Sequence, residues 1–259
     1  MAASESSASN VTVEVSERIA TITFNSPQTL NAITIPDYEA FTAALRKVDA
    51  RDDVLVTIWQ ANGKWFSSGT SVTGTADWSQ IDTVRGAFTG AIAATHTDIS
   101  QALYSHSKIL VVALHGPAMG IAAACLGLVD FIYALPSAWL SVPFTFLVGA
   151  TKANEVLIWG KTQGAQELLE CGFINKIMPK QPILEFQAAV RKLVLGELHG
   201  LDPEALLGMK RLIKIGLNEQ HNFDGVNLRE SYAVAERFTS GIPNERLEKV
   251  ARKELRHKL

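Results

Sequence analysis

Two segments of the 259-residue chain place small residues where backbone N–H groups could meet a negatively charged oxygen. The first runs from Val54-Leu-Val-Thr-Ile-Trp59 through Gly63 and Lys64 into Phe66-Ser67-Ser68-Gly69-Thr70-Ser71. The second runs from Ile109–Leu114 into His115-Gly116-Pro117-Ala118-Met119-Gly120-Ile121, followed by Ala122-Ala123-Ala124. Small residues after a strand let N–H groups turn outward, and a helix N-terminus adds positive potential. Two such groups side by side would cradle an oxyanion. A nucleophile elbow needs Ser or Cys at its tip, and Gly120 and Ile121 offer neither, so covalent acyl-enzyme chemistry is not expected here. On the residues alone a second reading stands: these glycines and alanines serve only tight packing of helix on strand.

Proton transfer would need a base, and each candidate has a plainer alternative. His96 could act as base or polar contact, or be a satisfied structural histidine. Glu155 reads as a solvated or ion-paired helix residue. Asp77 and Asp82 flank Trp78 in a loop and read as solvated. Cys125 and Cys171 lie far apart in apolar stretches, which gives no metal-ligand spacing and no disulfide framework and points to a reducing compartment.

These residues must be positioned by a folded core. Hydrophobic residues make up 47% of the chain and charged residues 19%, which excludes disorder and a coiled coil. A formal net charge of -2 argues against a nucleic-acid binder. No apolar run approaches the roughly 18 residues of a membrane span. Residues 1–10 have neither an apolar run nor an arginine and read as a tail rather than a targeting sequence. Val11–Val15 and Ile19–Phe24 alternate with period two and predict a hairpin. Thr34 and Pro36 open a helix whose Tyr38, Phe41, Leu45 and Val48 share one face. A strand is predicted over Val54–Trp59, a helix over Ile81–Tyr104 and a strand over Ile109–Leu114. Alternating strands and helices imply parallel strands and an α/β core over 11–195. Residues 196–259 turn helical, with Asp202-Pro203 as a start and further helices over Phe223–Phe238 and Asn244–Leu259.

Taken together, the segments resemble the crotonase (enoyl-CoA hydratase/isomerase) superfamily. Ile19-Ala-Thr-Ile-Thr-Phe-Asn-Ser-Pro-Gln-Thr-Leu-Asn-Ala-Ile33 is similar to its opening strand and Asn-x-Pro…Leu-Asn-Ala turn. Phe66–Ser71 resembles its Phe-Ser-[SA]-Gly-Ala-Asp loop, His115–Ala124 its Asn-Gly-x-Ala-x-Gly-Gly-Gly-x-Glu turn, and the stretch from Ala165 to Ile177 its Ala-x-Glu-x-Gly-Leu-Val segment. Within that family the chain most resembles fungal peroxisomal Δ3,Δ2-enoyl-CoA isomerases, through Gly-Pro-Ala-x-Gly-[LI], the pattern at Gly208–Lys214 and a His-[RK]-Leu ending.

The resemblance implies a spiral of ββα repeats with a helical C-terminal trimerisation region, and a homotrimer or hexamer. It implies an oxyanion hole from the N–H groups of Thr70 and Ile121, with Ser68, Gly69 and Gly120 beside the substrate and basic residues of the last helix near the CoA phosphates. The substrate would be an acyl-CoA thioester; coenzyme A is part of it, so no separate cofactor and no metal is expected. His257-Lys258-Leu259 would be read by a peroxisomal import receptor, which places the protein in the peroxisome.

The pattern breaks at the base. The first of the two hydratase glutamates would fall at Ala124, which disfavours two-carboxylate hydration. The segment that carries the isomerase glutamate is missing between Ser141-Val-Pro-Phe-Thr-Phe-Leu147 and Val148-Gly-Ala-Thr-Lys-Ala-Asn-Glu155. His96 is then the candidate surrogate base. The alternative function is an acyl-CoA-binding paralogue, or inactive subunit, without a general base. Loss of that segment is also expected to expose apolar surface.

Overall fold

A computed structural model describes residues 9–71, 83–141, 150–252 and 254. Asp77, Asp82, the 147–148 junction and His257-Lys258-Leu259 lie outside them.

The chain opens with the predicted hairpin, β1 (Val11–Ser16) and β2 (Ile19–Phe24), antiparallel with Val11 opposite Phe24. Helix α1 (Ile35–Asp49) follows. Its start is fixed by a capping box: the Thr34 hydroxyl accepts from the Asp37 N–H while the Asp37 carboxylate accepts from the Thr34 N–H. Pro36 adds a preset φ in the first turn. Tyr38, Phe41, Leu45 and Val48 are buried along one face, as their spacing predicts.

Strand β3 (Val56–Ala61) begins two residues later than its apolar run suggests. Val54 and Leu55 are buried, but the Arg18 carbonyl accepts from the N–H groups of both Leu55 and Val56 before the regular ladder starts. Residues 84–105 are helical throughout. They comprise α2 (Val84–Ala87), a π-helical stretch (Phe88–Asp98) and α3 (Ile99–Ser105). The wider winding departs from the single α-helix expected there.

Strand β4 (Ile109–Leu114), the short β5 (Ala118–Met119) and α4 (Gly120–Cys125) come next. Then follow β6 (Phe131–Ala134), β7 (Trp139–Ser141), α5 (Ala150–Leu157), β8 (Gln163–Gly164), α6 (Ala165–Glu170) and β9 (Lys176–Ile177). Helix α7 (Ile183–Leu198) closes the core, and α8 (Pro203–His221), α9 (Phe223–Thr239) and α10 (Ile242–Ala251) form the helical C-terminal region. The last helix starts two residues before the predicted Asn244.

The main sheet has the order β1-β2-β3-β4-β6-β9 and is parallel from β2 onward. A second ladder runs beside it. Ile33 bridges Thr70, Ser67 bridges Ala118, and β5 pairs with β7, which pairs with β8. Successive turns of the chain thus add to both ladders, the spiral that the resemblance implies. Between the main sheet and α1 the rings of Phe24, Phe41, Trp59 and Phe66 pack at 4.7–5.4 Å between centroids. This aromatic block seats the Phe66–Ser71 loop on the core.

Candidate active site

The loop after β3 is held on both sides. On one side the Ile33 N–H donates to the Gly69 carbonyl at 2.8 Å, the Ser71 N–H to the Ile33 carbonyl at 2.8 Å, and the Ser68 N–H to the Leu30 carbonyl at 3.0 Å. On the other, the Met119 N–H donates to the Ser67 carbonyl at 3.0 Å, and the N–H groups of Phe66 and Ser67 donate to the Pro117 carbonyl. Asn31, in the left-handed region at φ 52, locks the turn from within. Its amide donates to the carbonyls of Asn62 and Trp65, and its Oδ1 accepts the Ser26 N–H. The buried Ser67 hydroxyl donates to the Asn31 carbonyl at 2.7 Å and accepts the Gly69 N–H at 3.1 Å.

Gly69 and Gly120 are where the two turns touch. Gly69 has φ +86, and a Cβ there would stand 3.0 Å from the Met119 carbonyl oxygen and 3.7 Å from Gly120 Cα. Gly120 has φ +54 and faces Gly69 in return, with a Cβ 4.0 Å from Gly69 Cα. Positive φ favours glycine at both positions, and at Gly69 the close approach requires it as well.

The residues that follow each glycine carry the unsatisfied donors. Thr70 sits between the two strand-like bonds to Ile33, so its own N–H points to the opposite side. Ile121 is the second residue of α4, whose first turn has no intrahelical acceptor. Among the described residues, no acceptor takes up the N–H of Thr70 or of Ile121. The structure therefore brings Thr70, Ile121, Ser68, Gly69 and Gly120 together. Two free donors from touching turns, one at a helix N-terminus, can bind a carbonyl oxygen that gains negative charge.

Tyr38 is a site residue that sequence reasoning missed. Its phenol, fully buried in α1, lies 2.7 Å from Thr70 Oγ1. Burial raises its pKa, so the phenol stays protonated. Ser67 was also overlooked, although the paired serines of the motif were visible; the inner one braces the loop. The outer one, Ser68, is half-buried with its N–H already committed to Leu30.

Among the described residues, no hydrogen bond joins this group to His96. It lies in the π-helical stretch, and its one hydrogen bond among the described residues joins Nδ1 to Thr95 Oγ1 at 2.9 Å. The Thr95 hydroxyl spends its proton on the Ala91 carbonyl, so Nδ1 is the donor and Nε2 keeps a lone pair. Burial pushes the imidazole down to about 4, which leaves it neutral at physiological pH. Glu155 lies 3.9 Å from Lys161 on α5, the ion-paired helix position expected of it. Cys125 is fully buried, and burial first and the Glu230 charge second hold its thiol protonated. At the end of α5, Leu157, Ile158 and Trp159 are exposed. No helix among the described residues is long and apolar enough to cross a membrane.

Residues 19–130 match a family model described as enoyl-CoA hydratase/isomerase. The chain is 36% identical to a Delta(3,5)-Delta(2,4)-dienoyl-CoA isomerase of Pyricularia oryzae, over 96% of this chain and 98% of that one. It is 29% identical to the 3,2-trans-enoyl-CoA isomerase of Saccharomyces cerevisiae, over 90% of this chain and 91% of that one. The crystal structure of a probable enoyl-CoA hydratase from Mycobacterium thermoresistibile superposes with a TM-score of 0.73 at 25% identity, covering 90% of this chain and 95% of that one. Fold, motifs and relatives agree, and the chain belongs to the enoyl-CoA hydratase/isomerase family.

Proposed function

We propose that the protein is a CoA-thioester isomerase that moves a carbon–carbon double bond along an unsaturated acyl chain. The carrying observation is the contact of the Gly69 and Gly120 turns, with the N–H groups of Thr70 and Ile121 left without acceptors among the described residues. A thioester oxygen placed between them becomes an enolate oxygen when the α-proton leaves. Each preorganised donor of this kind is worth about 3–4 kcal/mol in the transition state. The proton removed from the α-carbon returns to the γ-carbon of a 3-enoyl chain or the ε-carbon of a 3,5-dienoyl chain, so the reaction consumes no water and needs no cofactor; coenzyme A enters as part of the substrate. Both named relatives are isomerases of unsaturated CoA thioesters. Together with Ala124 at the first hydratase glutamate position, this supports isomerisation over hydration.

His96 is the proposed proton carrier. With Nδ1–H held by Thr95, its Nε2 lone pair is the basic atom. A histidine lowered to about 4 is a weak base, so proton transfer is slow and leans on the oxyanion donors. The second reading, an acyl-CoA binder without turnover, rests on the absence of the family's glutamate-bearing segment. One experiment decides between them: purified protein is mixed with a 3-enoyl-CoA or a 3,5-dienoyl-CoA, and the conjugated product is followed by absorbance.

The site of action proposed is the peroxisome, through His257-Lys258-Leu259. A fluorescent fusion lacking Lys258 and Leu259 should stay cytosolic, and continued import would refute the address. The proposed assembly is a homotrimer or a pair of trimers. Met209, Leu212 and Ile213 on α8 are 60–62% exposed, an apolar row suited to burial against other copies.

A further inference from the structure

We propose that Lys214 is an acyl acceptor: its ε-amine, set in the cleft between α8 and the core, attacks the carbonyl of an acyl-CoA thioester and becomes an Nε-acyl-lysine. The cleft measures about 750 Å³, and its walls include Tyr104, Leu128, Leu207, Leu217 and Phe223. Residues 127–130, which follow α4, also line it, and Gly69, Thr70, Gly120 and Ile121 do not.

Lys210 and Lys214 stand one helical turn apart on α8, and both line this cleft. A single carboxylate serves them. Lys210, 6% exposed, pairs with Asp130 Oδ2 at 2.6 Å and also donates to the Lys108 carbonyl. The same Asp130 oxygen accepts the Leu110 N–H at 2.6 Å, so that oxygen already serves two donors. Lys214 donates to the His106 carbonyl, and no carboxylate among the described residues pairs with it.

Asp130 and Asp49 favour the charged form of Lys214 from a distance, but neither pairs with it. His106 is neutral, pushed down to about 3 by burial, and Asp49 is occupied by the N–H and hydroxyl of Ser107. Lys108, before β4, adds positive charge. Arg211, Glu204 and Asp224 also line the cleft, the last bonded to the Tyr104 hydroxyl. A second ammonium beside Lys210 in apolar surroundings is costly to keep charged. Burial first, and the Lys210 charge next, push Lys214 down to about 7. Its free-amine fraction at neutral pH is then far above that of an ordinary lysine. Desolvation next to another cation is how lysine nucleophiles are activated.

The transfer balances without a further reactant. The nitrogen lone pair forms the C–N bond, the C–S bond breaks, and coenzyme A leaves as thiolate and takes up the proton lost from nitrogen. The apolar walls receive the acyl chain. The inference rests on the proposed function only for the class of donor.

Mass spectrometry of the full chain after incubation with butyryl-CoA at pH 7 tests it. Lys214 should be acylated at least about tenfold faster than exposed Lys47 and Lys180, with the advantage shrinking as pH approaches 10. In Lys214→Arg, labelling of Lys47 and Lys180 should be unchanged. Labelling of Lys214 no faster than that of the exposed lysines overturns the proposal. A Thr70→Pro variant separates it from the isomerase reading: Lys214 should still be labelled there when turnover is lost, and loss of that labelling would count against acceptance at the cleft.

Discussion

The Tyr38 hydroxyl lies 2.7 Å from Thr70 Oγ1, which ties the oxyanion loop to the buried face of the first helix. Tyr38→Phe keeps the ring in the core and removes only this bond. A net loss of about 1 kcal/mol in positioning is expected. Affinity for a saturated acyl-CoA should fall roughly fivefold, at about 1.4 kcal/mol per factor of ten, while the far-UV circular dichroism spectrum is unchanged. Unchanged affinity, measured by calorimetry, would show that Thr70 is placed by the loop alone.

Thr70→Pro deletes the N–H, which no acceptor among the described residues takes up, together with the hydroxyl beside Tyr38. Turnover should fall about 10²- to 10³-fold, the cost of one oxyanion donor. Thr70→Ala, which also loses the hydroxyl but retains the N–H, should stay within about tenfold of the unsubstituted protein. Equal loss in both variants would assign the effect to the side chain instead.

Gly69→Ala forces a Cβ to 3.0 Å from the Met119 carbonyl at φ +86. Strain of this kind costs about 1–3 kcal/mol. A lower thermal midpoint is expected together with lost thioester binding. A variant with undiminished stability would mean that the two turns do not meet as described.

How much of this was visible in the sequence depended on range. The start of α1 was legible because Thr34, Pro36 and Asp37 act within one turn of each other. The glycine turns were legible as ordered motifs. The contact between Tyr38 and Thr70 was not, because it joins residues 32 apart through tertiary packing. Strand β3 was misplaced by two residues because Val54 and Leu55 are as apolar and buried as the ladder itself. Strands β5 and β8, two residues each, are too short to show alternation, and π-helical winding of Phe88–Asp98 leaves no clear period in an alanine-rich stretch.

His106 gives the fold a pH dependence of known sign. Burial lowers its pKa from an ordinary 6.5 to about 3, with Nε2 held by Thr57 Oγ1 at 2.8 Å. Above about pH 6.5 it is neutral folded or unfolded and its contribution is full. As pH falls toward 3 the unfolded chain binds the proton first, and stability is lost at up to about 1.4 kcal/mol per pH unit. Urea midpoints from pH 7 to 4 should therefore fall less steeply in His106→Asn. Parallel slopes would contradict the assignment.

His96→Ala should abolish turnover while leaving acyl-CoA binding intact, since Nε2 is the proposed base. The unsubstituted protein's kcat should fall only as pH drops toward 4, not near 6.5, because burial holds the imidazole neutral above that. Turnover retained in the alanine variant would exclude His96 from the proton transfer.

The proposed isomerisation runs on the Thr70 and Ile121 donors with His96 as base. Its most direct test is absorbance of the conjugated product formed from a 3-enoyl-CoA or 3,5-dienoyl-CoA by the purified chain. Formation above the buffer rate, reduced by Thr70→Pro, is the predicted result. No formation from either substrate, with acyl-CoA still bound, would contradict the account and leave a binding protein built on an isomerase fold.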